Sequence, residues 1–185
     1  HISIGANEVQ QEISIGIIFS SLLLSIMLGM QSFFKDEYQN GELEQYIISG
    51  VMLETIIISK CVAFILINAL MLFISLPLAF VIMDISFGAI SIAFLAGFLA
   101  IIGASFVNAF CASVSINSTN KSLFSIITLP LLIPILIFAT FTMNQPFYLW
   151  FLAGYDTIAA FMFIIATRYV LELSSFQLER ITMFF

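Results

Sequence analysis

The sequence predicts an all-α integral membrane protein, a bundle of membrane-crossing helices in a single domain spanning residues 1–185. Three observations predict it. The chain is 62% hydrophobic and only 9% charged, where soluble domains carry roughly 25% charge. A soluble chain of this length buries only about 70% of its surface, too little to hide this much apolar side chain from water. The apolar residues also run in continuous stretches of about 20, the length a helix needs to cross hydrocarbon. Finally, the basic residues cluster between and after alternate stretches, as they do in multi-pass proteins.

Five spans are predicted in order, over residues 13–34, 61–83, 87–116, 122–142 and 148–171. Barrel strands alternate apolar and polar residues over about ten positions, whereas these runs are uniform and longer. In hydrocarbon a uniform segment satisfies its backbone only as a helix. Lys35 and Lys60 flank the first connection, Lys121 lies in the third, and Arg168 and Arg180 close the fifth span and enter the tail. An N-terminus placed outside puts all five on the cytoplasmic side, leaving Glu8, Glu12 and Asp84 outside. The chain opens on His1 with no charged region before its first span, so an outside start predicts one further helix upstream. That makes six, with both ends cytoplasmic.

The net charge of −6 comes from 5 basic and 11 acidic residues. It excludes a basic nucleic-acid footprint and a polybasic lipid anchor. Cys61 and Cys111 sit in apolar runs without a Cys-x-x-Cys spacing, as small buried hydrophobes do. The sequence holds no Gly-x-x-x-x-Gly-Lys-Ser/Thr phosphate loop and no Cys-x-x-Cys-His haem-attachment motif. No nucleophile–base pair, metal cluster or catalytic residue is assigned, and the chain is read as a non-enzyme. Its one histidine is His1, so an axial haem ligand here would be Met or Tyr.

Three connections are short: 84–86 and 143–147 outside, and 117–121 inside. The exception is 33–60. Asn40-Gly41 is a turn or helix-stop signal, and Glu42 and Glu44 fall in the first turn after it, where carboxylates suit the helix dipole. Leu43, Tyr46 and Ile47 share a face. The product is a short acidic amphipathic element at the cytoplasmic surface. Its charge suits a basic protein partner, and a solvated surface helix without a partner is the plainer reading. The residues alone leave both open. Residues 47–59 are apolar but short, interrupted by Gly50 and Glu54, and are expected to be re-entrant or interfacial.

Phe34-Lys35-Asp36-Glu37-Tyr38-Gln39-Asn40-Gly41-Glu42-Leu43-Glu44-Gln45 resembles the signature of the cytochrome c maturation protein B (CcmB) family, the haem exporter permeases. That pattern is Phe-basic-Asp-acidic, then Gly-x-Leu-Glu-Gln. A second block, Leu129-Pro130-Leu131-Leu132-Ile133-Pro134, resembles the family's Leu-Pro-Leu-x-Ile-Pro run, and Ser20-Ser21-Leu22-Leu23 and Lys60 also fit. The resemblance covers residues 2–140. Gly50 stands where the family has proline, and the region after Met143 matches poorly.

The resemblance implies an ABC-2-type exporter permease in a bacterial inner membrane or a mitochondrial inner membrane, paired with the ATP-binding subunit CcmA and the haem-handling proteins CcmC and CcmD, and present as a homodimer. It assigns ATPase coupling to Phe34, Asp36, Glu37, Gly41, Glu42, Leu43, Glu44 and Gln45. Haem enters as transported substrate, not as a bound cofactor. Two other readings stay open: a generic lipid or drug permease, and a non-transporting anchor for the ATPase.

Four further features remain. Pro130 and Pro134, and more weakly Pro77, are expected to kink their spans. Gly97, Gly103, Ala104, Ser105 and Asn108 give the third span a small face suited to close packing, extending to a homodimer contact. Asp156 is an intramembrane carboxylate expected near the outer interface, and Tyr148, Trp150 and Tyr155 form an interfacial aromatic belt.

Overall fold

The structure, a computed structural model, describes residues 2–83, 85, 88, 90–116 and 122–182, with the side chains of 2–12, 44, 47, 122 and 174–182 left undescribed. The loop 117–121 with Lys121, as well as Asp84 and His1, lies outside the described residues. Within them the chain forms α1 Ile2–Gly29, α2 Lys35–Gln39, α3 Glu42–Ile48, α4 Leu53–Ile82, α5 Ile90–Val114, α6 Ser122–Thr142 and α7 Tyr148–Thr182.

Four helices are long and apolar enough to cross a membrane: Leu53–Ile82, Ile90–Val114, Leu123–Thr142 and Tyr148–Leu173. The apolar part of α1, Ile13–Gly29, is about 26 Å long at 1.5 Å per residue, the lower limit for a span. Four of the five expected spans are therefore long apolar helices, and the first is a shorter apolar segment of α1.

Helix α5 is the centre. It packs against α1, α4, α6 and α7, and from Ala100 to Ser113 it is buried almost all round. It can be surrounded because its residues are small. Helices in lipid gain little by hiding apolar surface and associate where backbones approach closely. A Cβ on Gly97 would lie 3.1 Å from both methyls of Leu72 in α4. A Cβ on Gly103 would overlap the Asp156 carboxylate of α7 and lie 3.3 Å from Ile135 of α6. The small face expected on this span is thus covered by the chain's own helices and is not open to a second copy.

Around α5, each neighbour buries one stripe. In α4 the buried residues are Leu53, Ile57, Cys61, Leu72, Leu76 and Phe80, steps of four that stay on one face. Leu66, Leu70, Phe73 and Ile74 point outward to lipid. Helix α6 runs as one element through Pro130 and Pro134. Thr128, Thr140 and Thr142 return their hydroxyls to the carbonyls of Phe124, Leu136 and Phe138, so no water is needed to satisfy them.

Three boundaries differ from expectation. Helix α1 stops at Gly29, and a series of turns through residues 30–34 swings Met30 and Phe34 into the core. Helix α4 starts at Leu53, so residues 53–59 are its first two turns and not a separate interfacial or re-entrant segment. Gly50, at φ +74°, ends α3 in a conformation open to glycine, and no breaker follows to interrupt the Leu53–Ile57–Cys61 stripe. Helix α7 continues past residue 171 to Thr182.

The central packing yields a contrast between two glycines. Gly97→Val should destabilise the detergent-solubilised protein by about 1–3 kcal/mol through overpacking against Leu72, with partial recovery in the Leu72→Ala background. Gly154→Ala, with nothing within 4 Å, should leave the unfolding midpoint unchanged or raised. Equal effects of the two substitutions would refute the account of α5.

Candidate functional site

The polar segment 33–60 builds a platform at the end of the bundle where the basic residues gather. Two short helices make it, hinged at Asn40-Gly41. Gly41 has φ +73°, a left-handed turn that costs a side-chain-bearing residue but not glycine. The Asn40 amide closes α2 on the Asp36 carbonyl at 2.9 Å. The platform stands on apolar feet. Phe34 is 1% exposed and Leu43 4%, and both join the core cluster of the bundle.

Lys60, in the second turn of α4, ties the platform down. Its ammonium donates to the Phe33 carbonyl and to the Glu37 carboxylate, and it lies 4.9 Å from the centroids of both the Phe33 and Phe34 rings. Phe33 in turn meets Phe34 edge-on at 5.0 Å and Phe64 of α4 at 5.8 Å. One cation therefore satisfies a turn carbonyl, a carboxylate and two aromatic faces. A hydrogen bond to a charged group contributes about 1.5–3 kcal/mol, and a cation–π contact about 0.5–1 kcal/mol at exposed sites.

A second clamp lies across the bundle. Glu54 in the first turn of α4 pairs with Arg168 of α7, which also binds Glu172 at 2.9 Å one turn on. Both clamps hold the same helix end, one toward the platform and one toward α7. Glu54 and Lys60, which flank the segment read as interfacial, pair with these partners and not with each other.

Of the eight residues assigned to coupling, the structure turns two into the core, Phe34 and Leu43. Glu37 is engaged by Lys60, and Gly41 is the hinge. Asp36 and Gln45 are exposed and Glu42 is half-buried, leaving these as the outward polar face. The Glu44 side chain lies outside the described residues. Beside the platform, Gln31, Ser32, Lys35, Asp36 and Gln39 line a polar recess of about 400 Å³ against the end of α5. Lys60, Arg168 and Glu54 were not among the eight. Their signal was present in the sequence as charges at the margins of apolar runs, without the pairing.

Asp156 is buried in the α5–α7 seam, against Gly103. Tyr155 is half-buried and donates its hydroxyl to the Leu131 carbonyl at 3.1 Å, next to the Pro130 carbonyl that Pro134 leaves without its helical donor. It therefore belongs to the packing and not to an aromatic belt, while Trp150 is 78% exposed. Cys61 and Cys111 are free and buried. Among the described residues no three His, Cys, Asp or Glu side chains stand close enough to hold a metal.

Comparison with known proteins adds two findings. The family model described as CcmB protein matches residues 2–177. Heme exporter protein B of Pseudomonas aeruginosa is 25% identical over 132 residues, 71% of this chain and 59% of that protein. A putative cytochrome c biogenesis ccmB-like mitochondrial protein of Marchantia polymorpha is 26% identical over 164 residues, 85% of this chain and 57% of that one. The chain spans just under three fifths of the length of these relatives.

The clamp geometry predicts that Lys60→Met loosens the platform while the bundle stays folded. Hydrogen exchange should accelerate across residues 33–48 roughly tenfold or more, matching about 1.4 kcal/mol of lost local stability, with little change in α5. Glu37→Gln should give a smaller effect in the same segment. Uniform acceleration, or none, would sink the clamp.

Proposed function

The chain belongs to the CcmB protein family, and on that premise we propose that it is the membrane permease subunit of a haem-exporting ABC transporter serving c-type cytochrome assembly. The observation that carries this reading is the family match over residues 2–177, joined to the names of its relatives, a heme exporter protein and a cytochrome c biogenesis protein. The protein is a multi-pass membrane protein, and the reading places it in a bacterial or mitochondrial inner membrane.

On this reading the chain contributes no catalytic chemistry. ATP is hydrolysed by a separate subunit of the CcmA type, and haem is cargo handed on with CcmC- and CcmD-type partners. The residues that carry the family signature form the platform, and its outward face offers Asp36, Glu42 and Gln45 to a basic surface on the ATPase. Closure of the ATPase pair presses on α2 and α3. The feet Phe34 and Leu43 transmit the load to the core. Lys60 transmits it to α4, and through Glu54 and Arg168 it reaches α7. The chemistry of the platform is thus docking and force transfer.

Two measurements test the proposal. Deleting the gene should abolish holo-cytochrome c, read by haem staining, and the wild-type chain should restore it; normal staining in the deletion strain would end the haem reading. The double variant Asp36→Lys/Glu42→Lys should reduce co-purification with the ATP-binding subunit by about tenfold, equivalent to about 1.4 kcal/mol, with the permease itself still inserted. Undiminished co-purification would remove the acidic face from the docking surface.

A further inference from the structure

Helix α7 carries one carboxylate deep in its apolar length. Asp156 lies eight residues into the helix, about 12 Å from its outer end. It is 5% exposed, and neither carboxylate oxygen has a hydrogen-bond partner among the described residues. An ionisable group at such a depth is costly and commonly marks a functional contact. The fold makes room for it, since the carboxylate fills the space that a side chain at position 103 would occupy.

On the lipid side of the same seam is an open apolar groove of about 550 Å³ with Asp156 in its lining. Leu99 and Ile102 of α5 form one wall, and Ala153, Thr157 and Ala160 of α7 form the other. Those three recur at steps of four and three, so they share a face and make a low ridge that lets another helix approach closely.

We propose that this groove seats one membrane-spanning helix of a different protein, whose lysine or arginine pairs with Asp156. The occupant follows from charge and depth. In a parallel two-fold dimer, equal depths face each other, and among the described residues a second copy offers no cation at this depth. Lys35, Lys60 and Arg168 lie toward the other end of the spans, and Arg168 is held by Glu54 and Glu172. A lipid chain fills the groove but leaves the carboxylate unpaired. The pairing requires the Asp156 side chain to turn from Gly103 toward the groove. Nothing in this inference depends on the identity of the cargo.

The test uses the full chain in its native membrane, with a photocrosslinking residue in place of Phe161, which rims the groove and is 72% exposed. The expected product is a crosslink to a spanning segment of another protein that carries Lys or Arg within a turn of the attachment point. That crosslink should fall by roughly fivefold or more in both Asp156→Asn and Asp156→Leu, while Asp156→Glu retains it. Exchanging the charges, Asp156→Lys against Asp at the partner's basic position, should restore it, which separates pairing from a folding defect. Crosslinks to lipid alone, to a second copy alone, or to a partner indifferent to every change at Asp156 would overturn the proposal. A normal or failed haem phenotype bears on the cargo and not on this result.

Discussion

Close backbone approach around α5 is the constraint on which the fold depends. In hydrocarbon an apolar side chain is as well placed against lipid as against protein, so a bundle holds only where surfaces fit. The run Ala96-Gly97, Ala100, Gly103-Ala104-Ser105 and Ala109 in α5 gives α4, α6 and α7 room to approach it together. The large residues are then supplied from outside the centre, by Leu72, Ile135 and Leu152. Phe110 of α5 meets Phe163 of α7 at 5.1 Å, seven residues beyond the Gly103–Asp156 contact on each helix. A shared offset over two turns means that α5 and α7 run side by side in one direction. A membrane protein built this way exposes its larger apolar residues to lipid, as α4 does.

Apart from Asp156, the described charged side chains collect at one end, where they act between helices. Exposed ion pairs contribute little because water and salt screen them, and Arg168 with its two carboxylates is of that kind. Lys60 differs because it is half-buried and meets four acceptors or ring faces at once. The two clamps grip the first turns of α4 from opposite sides. Helix α4 is covered by protein on one stripe, so the clamps in its first two turns add restraint that its lateral packing does not supply.

Much of this was legible in the sequence because the bilayer imposes a simple rule on length and hydropathy. The spans, their number and the gathering of basic residues at one end follow from it. The α4 boundary did not. Gly50 and Glu54 look like interruptions, yet Gly50 precedes the helix and Glu54 suits its positively polarised first turn. Phe34 and Leu43 read as docking residues because they sit in an acidic signature, whereas apolar residues in such a segment are what fastens it to the bundle. Tyr155 resembled a belt aromatic because its partner, the Leu131 carbonyl, is a backbone group on another helix, beside the Pro130 carbonyl that Pro134 leaves without a donor. Pairings of this kind depend on rotation about helix axes, which one-dimensional periodicity does not specify.

Lys60 and Asp156 show how burial and satisfaction separate two uses of charge. Each is an ionisable group set among apolar helices, but Lys60 is partnered by its own chain, with carbonyl, carboxylate and two rings. Its bonding capacity is spent on internal restraint. Asp156 has space reserved for it by a glycine and no donor within the described residues. In hydrocarbon an unsatisfied carboxylate does not improve packing, and an alanine would fill the α5–α7 seam with less desolvation. A group that destabilises the isolated subunit is consistent with a contact the isolated subunit does not contain. Internal restraint at the platform end and an open valence along the apolar length of α7 are then complementary: the first holds the platform in one position relative to α4, and the second suits the bundle to a specific neighbour.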